Sequence, residues 1–189
     1  MIIKLGKLKM LFVVISILIV ALTLWQVSYR IYIKVEYPKK YTDTVQKYAQ
    51  LYAVDESLIY AVIKCESGFS PDAHSSIGAR GLMQITEDTF NWAKTKMKIK
   101  DEITYSSIED IDANIKYGSF VLAQLLEEFG SIDNALCAYH AGWGSVKRWL
   151  ASPENSKDGK TIYNIPYRDT RIYVQRVDEA IKIYKEMKN

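Results

Sequence analysis

Cysteine and histidine are scarce in this chain of 189 residues, with two of each. Two cysteines, Cys65 and Cys137, cannot build a disulfide framework. They form one bridge at most, and otherwise each is a small buried hydrophobe on an apolar helical face. Cys65, His74, Cys137 and His140 are the one set with zinc-ligand chemistry. Both cysteines fall on core stripes and His74 falls in a loop, so no metal or other cofactor is expected, and a Cys65/His140 nucleophile pair is equally disfavoured. An excess of one charge is lacking too. The 25 Lys and Arg against 22 Asp and Glu leave a net charge of +3, which gives no nucleic-acid footprint. There is no internal repeat and no low-complexity tract. Strand-like alternation is missing except around Gly68 to Gly81, which excludes a β architecture.

Long apolar runs are confined to the N-terminal end. Lys4, Lys7 and Lys9 precede the uncharged stretch from Met10 to Val27, which has about the length needed to span a bilayer as a helix. Trp25 and Tyr29 then fall at an interface. A cleaved signal peptide is the rival reading. No small-x-small site follows the run and no cysteine sits there for lipid attachment, so an uncleaved anchor is expected. The resulting division is a short basic segment over 1–9, a transmembrane anchor over 10–27, a juxtamembrane connector over 28–40 and a globular domain over 41–189. Lysines and arginines flank the span on both sides, so their count does not orient it.

From Tyr41 onward the apolar periodicity is helical. Thr42 to Tyr52 carries Val45, Tyr48, Ala49 and Tyr52 at three- and four-residue spacing. Asp55 is a good N-cap for a helix ending near Gly68. Thr86 can cap a helix to about Lys96, and the charged residues Lys94 to Glu102 read as a loop or frayed turn. A long helix is expected over about Asp110 to Phe129, closed by Gly130, with Ser131 capping the next one up to a break at Gly142. Gly144-Ser145 opens another short helix. Ala151 to Lys160 reads as a surface loop tolerant of length change. The last helix runs over about Asp169 to Lys185, with Tyr173, Val177, Ala180, Ile181 and Tyr184 inward. The fold class is all-α.

One acid stands out. Glu66 lies three, four and seven residues after Ile63, Val62 and Ile59, which at helical spacing is the apolar face. Burial disfavours its charged form and raises its pKa, and the negative end of the helix dipole adds to that. A carboxyl still protonated near neutrality is what a general acid needs. The plain alternative is a Glu at a fraying helix end with its head in water. After it come a Ser/Gly/Pro loop and the strip Gly81-Leu82-Met83-Gln84, whose amide can both donate and accept. A second acid near these motifs is not obvious. Asp72 is nearest in sequence, while Glu87 and Asp88 suit the first turn of a helix for its dipole alone. Ordinary glycosidases use a pair of carboxylates.

Four segments together carry a resemblance: Glu66-Ser67-Gly68-Phe69-Ser70-Pro71, Gly78-Ala79-Arg80-Gly81-Leu82-Met83-Gln84-Ile85, Ala138-Tyr139-His140-Ala141-Gly142, and Ile165-Pro166 with Arg171-Ile172-Tyr173-Val174. In this order they resemble the motif series of the soluble-type (SLT) lytic transglycosylases, goose-lysozyme-like enzymes that cleave bacterial peptidoglycan. The resemblance covers about residues 45–185. It implies a lysozyme-like helical domain and a single catalytic acid/base at Glu66. It implies a glycan groove formed by Ser67, Gly81, Met83, Gln84, Tyr139, His140, Ala141 and Gly142, with the Tyr173 hydroxyl near the acid. His140 stands where the family pattern has Asn, and Asp169 where it more often has Glu. The implied reaction splits the MurNAc-β-1,4-GlcNAc bond without water, leaving 1,6-anhydroMurNAc ends. The implied partner is the peptidoglycan glycan strand, met by a single-pass protein of the bacterial cell membrane whose domain faces the wall. A water-using muramidase and a glycan-binding scaffold without catalysis are the two rival functions.

Overall fold

The computed structural model describes residues 2–98 and 102–187. It separates into two compact units, residues 1–38 and 39–189. The first holds one helix, α1, over Ile2–Glu36. The apolar run, the basic stretch before it and most of the connector after it thus share one continuous helix. No proline interrupts the sequence before Pro38, which accounts for that continuity. Its side chains from Gly6 to Glu36 are almost all exposed, and an 18-residue window reaches a mean hydropathy of 2.6. At 1.5 Å per residue the helix is long enough to cross a bilayer core of about 30 Å.

The second unit contains seven α-helices and no strand among the described residues. They are α2 (Thr42–Tyr52), α3 (Glu56–Ser67), α4 (Glu87–Met97), α5 (Ile111–Phe129), α6 (Ile132–Ala141), α7 (Trp143–Ala151) and α8 (Arg168–Glu186), with one 3₁₀ turn over Tyr105–Ser107. The fold is all-α, as the periodicity predicts. Most ends follow the capping residues read from the sequence. Asp55 accepts from the Ser57 N–H at 2.6 Å, Thr86 from Thr89 at 3.3 Å, Asp110 from Ala113 at 3.0 Å and Ser131 from Asn134 at 3.2 Å. Gly68 and Gly130 end α3 and α5 in the left-handed conformation.

Two helices form the centre. In α3, every residue from Ser57 to Ile63 is buried, and α8 is its main partner. The α8 face comprises Tyr173, Val177, Ala180, Ile181 and Tyr184, all buried as expected, and the Tyr60 and Tyr184 rings stack at 5.3 Å. Helix α5 is buried on more than one side. Beside the apolar Ala113, Ile115, Val121, Leu122 and Leu125 it buries Asn114, Tyr117 and Ser119, whereas Ile111 and Leu126 are only half-buried.

Helix α4 ends at Met97, one residue past the expected end near Lys96, and Lys94 in its last turn bonds to the Ile103 carbonyl. Of the loop expected after it, residues 99–101 lie outside the described residues. Two local expectations are corrected. Helix α7 begins at Trp143, directly after Gly142, instead of at Gly144. The 151–160 segment is pinned. Asp158 accepts from the backbone of Lys160 and Thr161 at 2.8 and 2.7 Å, and the buried Asn134 amide donates to the Lys160 carbonyl at 2.6 Å.

Candidate active site

A cleft of about 540 Å³ opens beside the end of α3. Of the ten residues singled out from the sequence, Glu66, Gln84, Tyr139, His140 and Gly142 line it. Ser67, Gly81, Met83 and Tyr173 do not line it, and the last three are buried. Ala141 lines an adjoining cavity of about 630 Å³ with Tyr167, Arg168 and Asp169, and His140 borders both.

Glu66 is half-buried on the last turn of α3. Burial pushes its pKa up to about 7, while Tyr173 and the charge of Arg176 pull it down. Desolvation prevails, so the acid is partly protonated at neutral pH. The Tyr173 hydroxyl is buried and close enough to favour the carboxylate, yet it makes no well-formed hydrogen bond among the described residues. Arg176 is three residues after Tyr173 on α8, and that spacing was the only sequence signal for its place beside the acid.

The strip 81–84 is organised from behind by Asn114, a residue the sequence reading passed over. Asn114 is fully buried on α5. Its amide nitrogen donates to the carbonyls of Arg80 at 3.0 Å and Ile108 at 2.9 Å, and its oxygen accepts the Met83 N–H at 2.7 Å. Gly81 has φ +76°, and a methyl group there would lie 2.8 Å from the Asn114 Cγ. Glycine is therefore required for Asn114 to approach, rather than for a ligand to do so. The Met83 side chain is fully buried, packed so closely on Gly118 that a Cβ there would lie 2.8 Å from the Met83 Cβ. The part of Met83 that reaches the site is its carbonyl, which accepts from the Tyr139 hydroxyl at 2.7 Å. Burial and the Glu66 charge hold the Tyr139 pKa far above its ordinary value, so the phenol stays neutral.

Ser67 joins the same scaffold by donating to the Leu82 carbonyl at 2.8 Å, which ties the end of α3 to the strip. Gln84 sits in left-handed backbone, with φ +48°. Its amide nitrogen donates to the carbonyls of Ala73 at 3.0 Å and Gly81 at 2.9 Å. Two carbonyl partners fix which end of the amide is nitrogen, and they leave its oxygen as the group to offer a ligand. The His140 ring packs against Tyr173 with centroids 4.6 Å apart and planes tilted by 33°, and its Nδ1 lies 3.1 Å from the Thr170 hydroxyl. Burial of that edge lowers its pKa, so the ring is neutral at pH 7.

Both cysteines are free thiols, and burial raises their pKa to about 11 for Cys65 and about 12 for Cys137. Neither is a ready nucleophile. No cluster with metal-ligand chemistry occurs among the described residues. Asp72 is exposed and lines no part of the cleft, but Asp88, read from sequence as a helix-start residue only, does line it. Trp92, one turn further along α4, and Trp143 line it too. The i, i+4 spacing of Asp88 and Trp92 was the signal available for their shared face.

Residues 43–162, more than half of the chain, match the sequence model of the transglycosylase SLT domain. The chain is 30% identical over 145 residues to the soluble lytic murein transglycosylase of Escherichia coli K12, covering 75% of this chain and 22% of that protein. It is 32% identical over 167 residues to membrane-bound lytic murein transglycosylase C of Yersinia enterocolitica, covering 77% and 47%. The chain thus spans about a fifth to a half of the length of these relatives. Among solved structures, an inactive mutant of lytic transglycosylase Slt from Pseudomonas aeruginosa superposes with a TM-score of 0.72 at 29% identity, over 82% of this chain and 25% of that one. The 70 kDa soluble lytic transglycosylase of E. coli, also solved in complex with bulgecin A, superposes with a TM-score of 0.74 at 25% identity, over 83% and 26%. With the motif series, the helical fold and the domain match all in agreement, the chain belongs to the SLT-type lytic transglycosylase family.

Proposed function

We propose that this protein is a membrane-anchored lytic transglycosylase that cleaves the MurNAc-β-1,4-GlcNAc bond of peptidoglycan with Glu66 as its single acid/base. The observation that carries the reading is a half-buried carboxyl with a pKa of about 7, placed at a cleft large enough for a sugar ring or more. Protonated Glu66 gives its proton to the glycosidic oxygen as the bond to the MurNAc C1 breaks. The N-acetyl oxygen of MurNAc stabilises the cation at C1. Carboxylate Glu66 then takes the proton of the C6 hydroxyl while O6 bonds to C1, closing the 1,6-anhydro ring. Glu66 ends protonated again, its first proton having left on the GlcNAc hydroxyl, and no water is consumed. Near pH 7 both forms of Glu66 are populated, which suits an acid that must next be a base.

Tyr139 and Tyr173 keep this carboxyl in a partly apolar setting, and Ser67, Gly81 and Met83 hold the strip behind it. Gln84, His140, Ala141 and Gly142 contact the glycan strand. The division into a basic segment at 1–9, an anchor at 10–27, a connector at 28–40 and the catalytic domain at 41–189 is part of the reading. So is a single-pass placement with the domain on the wall side of the bacterial cell membrane. The length and hydropathy of α1 support the anchor, and the relative named as membrane-bound supports the location.

A second reading rests on Asp88. An additional carboxylate in the same cleft would allow hydrolysis with water. Digestion of purified sacculi separates the two. Under the single-acid reading Glu66→Gln abolishes turnover and Asp88→Asn leaves measurable turnover. A fully active Glu66→Gln overturns that assignment, and an inactive Asp88→Asn favours hydrolysis.

A further inference from the structure

The α4 wall of the cleft has no part in the proton transfers. It presents Asp88, Thr89 and Trp92 from α4 and Trp143 from the first turn of α7, with Val121 and Leu125 of α5 beside them. Trp143 is 37% exposed, unusually open for an indole in a domain of this size. It is nevertheless firmly held. The Phe129 ring meets it edge to face at 5.6 Å and Trp92 does so at 6.2 Å, while the Lys147 ammonium stands 5.7 Å from its centroid. Lys147 is itself fixed by Glu128. Trp92 is braced in turn by Phe120 at 6.3 Å. An exposed indole with so little freedom loses little entropy when a ligand lands on it. Asp88 adds an exposed carboxylate on the same face of α4. An ionised carboxylate accepts hydrogen bonds only, and a sugar supplies hydroxyl donors.

We propose that Asp88, Trp92 and Trp143 form a saccharide-binding subsite for the pyranose ring of an N-acetylated hexosamine. The C–H face of the ring lies on the Trp143 indole, Trp92 closes the apolar side, and the Asp88 carboxylate accepts from ring hydroxyls. This rests on the glycan reading of the cleft, and it gives Asp88 a binding role in place of a chemical one. The subsite sets how tightly a strand is held, independently of the proton chemistry at Glu66.

The test uses the full chain in detergent micelles, titrated with the β-1,4-linked GlcNAc tetramer, a probe that carries no peptide. Calorimetric heat and tryptophan emission are both read. Wild type binds with a change in emission. Trp143→Ala weakens binding about tenfold and loses most of the emission change, whereas Trp143→Phe, which keeps a ring, weakens it by only a few-fold. Asp88→Asn weakens it by a few-fold as well. Asp88 is exposed, so this variant carries the test even where Trp143→Ala does not fold. Wild type that fails to bind the tetramer overturns the proposal, as does wild-type affinity in Asp88→Asn or in folded Trp143→Ala. Loss of turnover on sacculi in Asp88→Asn with unchanged affinity also overturns it, by making Asp88 the second acid. An active Glu66→Gln would defeat the single-acid chemistry while leaving the titration result standing.

Discussion

Gly68 and Gly81 offer a paired experiment on what holds the cleft in shape. Both have positive φ, +58° and +76°. Alanine at either position incurs the left-handed cost of roughly 1–2 kcal/mol. The surroundings differ. Nothing lies within 4 Å of a Cβ built at Gly68, whereas one at Gly81 would overlap the Asn114 amide and lie 2.8 Å from its Cγ. Asn114 is fully buried and holds three hydrogen bonds, so it has nowhere to move without breaking them. Overpacking of this kind adds roughly 1–3 kcal/mol. Gly81→Ala should therefore cost roughly 2–5 kcal/mol against roughly 1–2 for Gly68→Ala. The excess over Gly68→Ala corresponds to a melting temperature lower by roughly 2–12 °C, measurable by near-ultraviolet circular dichroism. Gly81→Ala should also lose activity on sacculi, because the Met83 carbonyl that receives Tyr139 shifts with the strip. Equal melting temperatures for the two variants would refute the claim that Asn114 fills the space a side chain would need.

Other expectations concern single groups. Tyr139→Phe leaves the Met83 carbonyl without its 2.7 Å donor and should cost about 1–2 kcal/mol of stability, read by chemical denaturation. Asn114→Ala removes a buried hub of three bonds and should cost about 3 kcal/mol or more, with loss of turnover. The pKa of Glu66 is raised from 4.5 to about 7 by burial, so the folded state binds its proton more tightly than the unfolded chain. The stability this contributes is complete below pH 4.5 and is lost as the pH rises through 7, up to about 3 kcal/mol. Glu66→Gln should thus melt higher than wild type at pH 8 and lose that advantage at pH 4. His140 behaves in the opposite sense. Its lowered pKa gives stability that is complete above the unfolded value of about 6.5 and falls as the pH drops below it. Between pH 5 and 7 this rise opposes the fall from Glu66, so His140→Asn should make the melting temperature drop more steeply with rising pH than it does in wild type.

Much of this site is legible in the chain because its cues are local. Asp55 and Gly68 bound α3 through cap chemistry, and the 59–62–63–66 spacing alone puts Glu66 on a partly buried face. The raised pKa follows from that placement, although its cause is burial opposed by Tyr173 and Arg176, neither of which is near in sequence. Asn114 is illegible for the same reason. It looks like a polar residue in the first turn of a helix, and its role appears only when Arg80 and Met83 fold over it, more than thirty residues away. Gly118 carries no local sign of its role, because the contact that requires glycine is with Met83, far away in the chain. Asp88 was legible as a helix-start acid, and its second identity as a cleft residue depends on how α4 packs on α5. The 151–160 loop reads as free because the residue that pins it, Asn134, belongs to another helix.

The central claim is non-hydrolytic cleavage by a single acid, and the identity of the product tests it most directly. Purified sacculi digested by the full chain in water enriched in oxygen-18 would be analysed by mass spectrometry. The account predicts muropeptides ending in 1,6-anhydroMurNAc with no label incorporated, and none released by Glu66→Gln. Reducing MurNAc ends carrying oxygen-18, or anhydro products still released by Glu66→Gln, would contradict it.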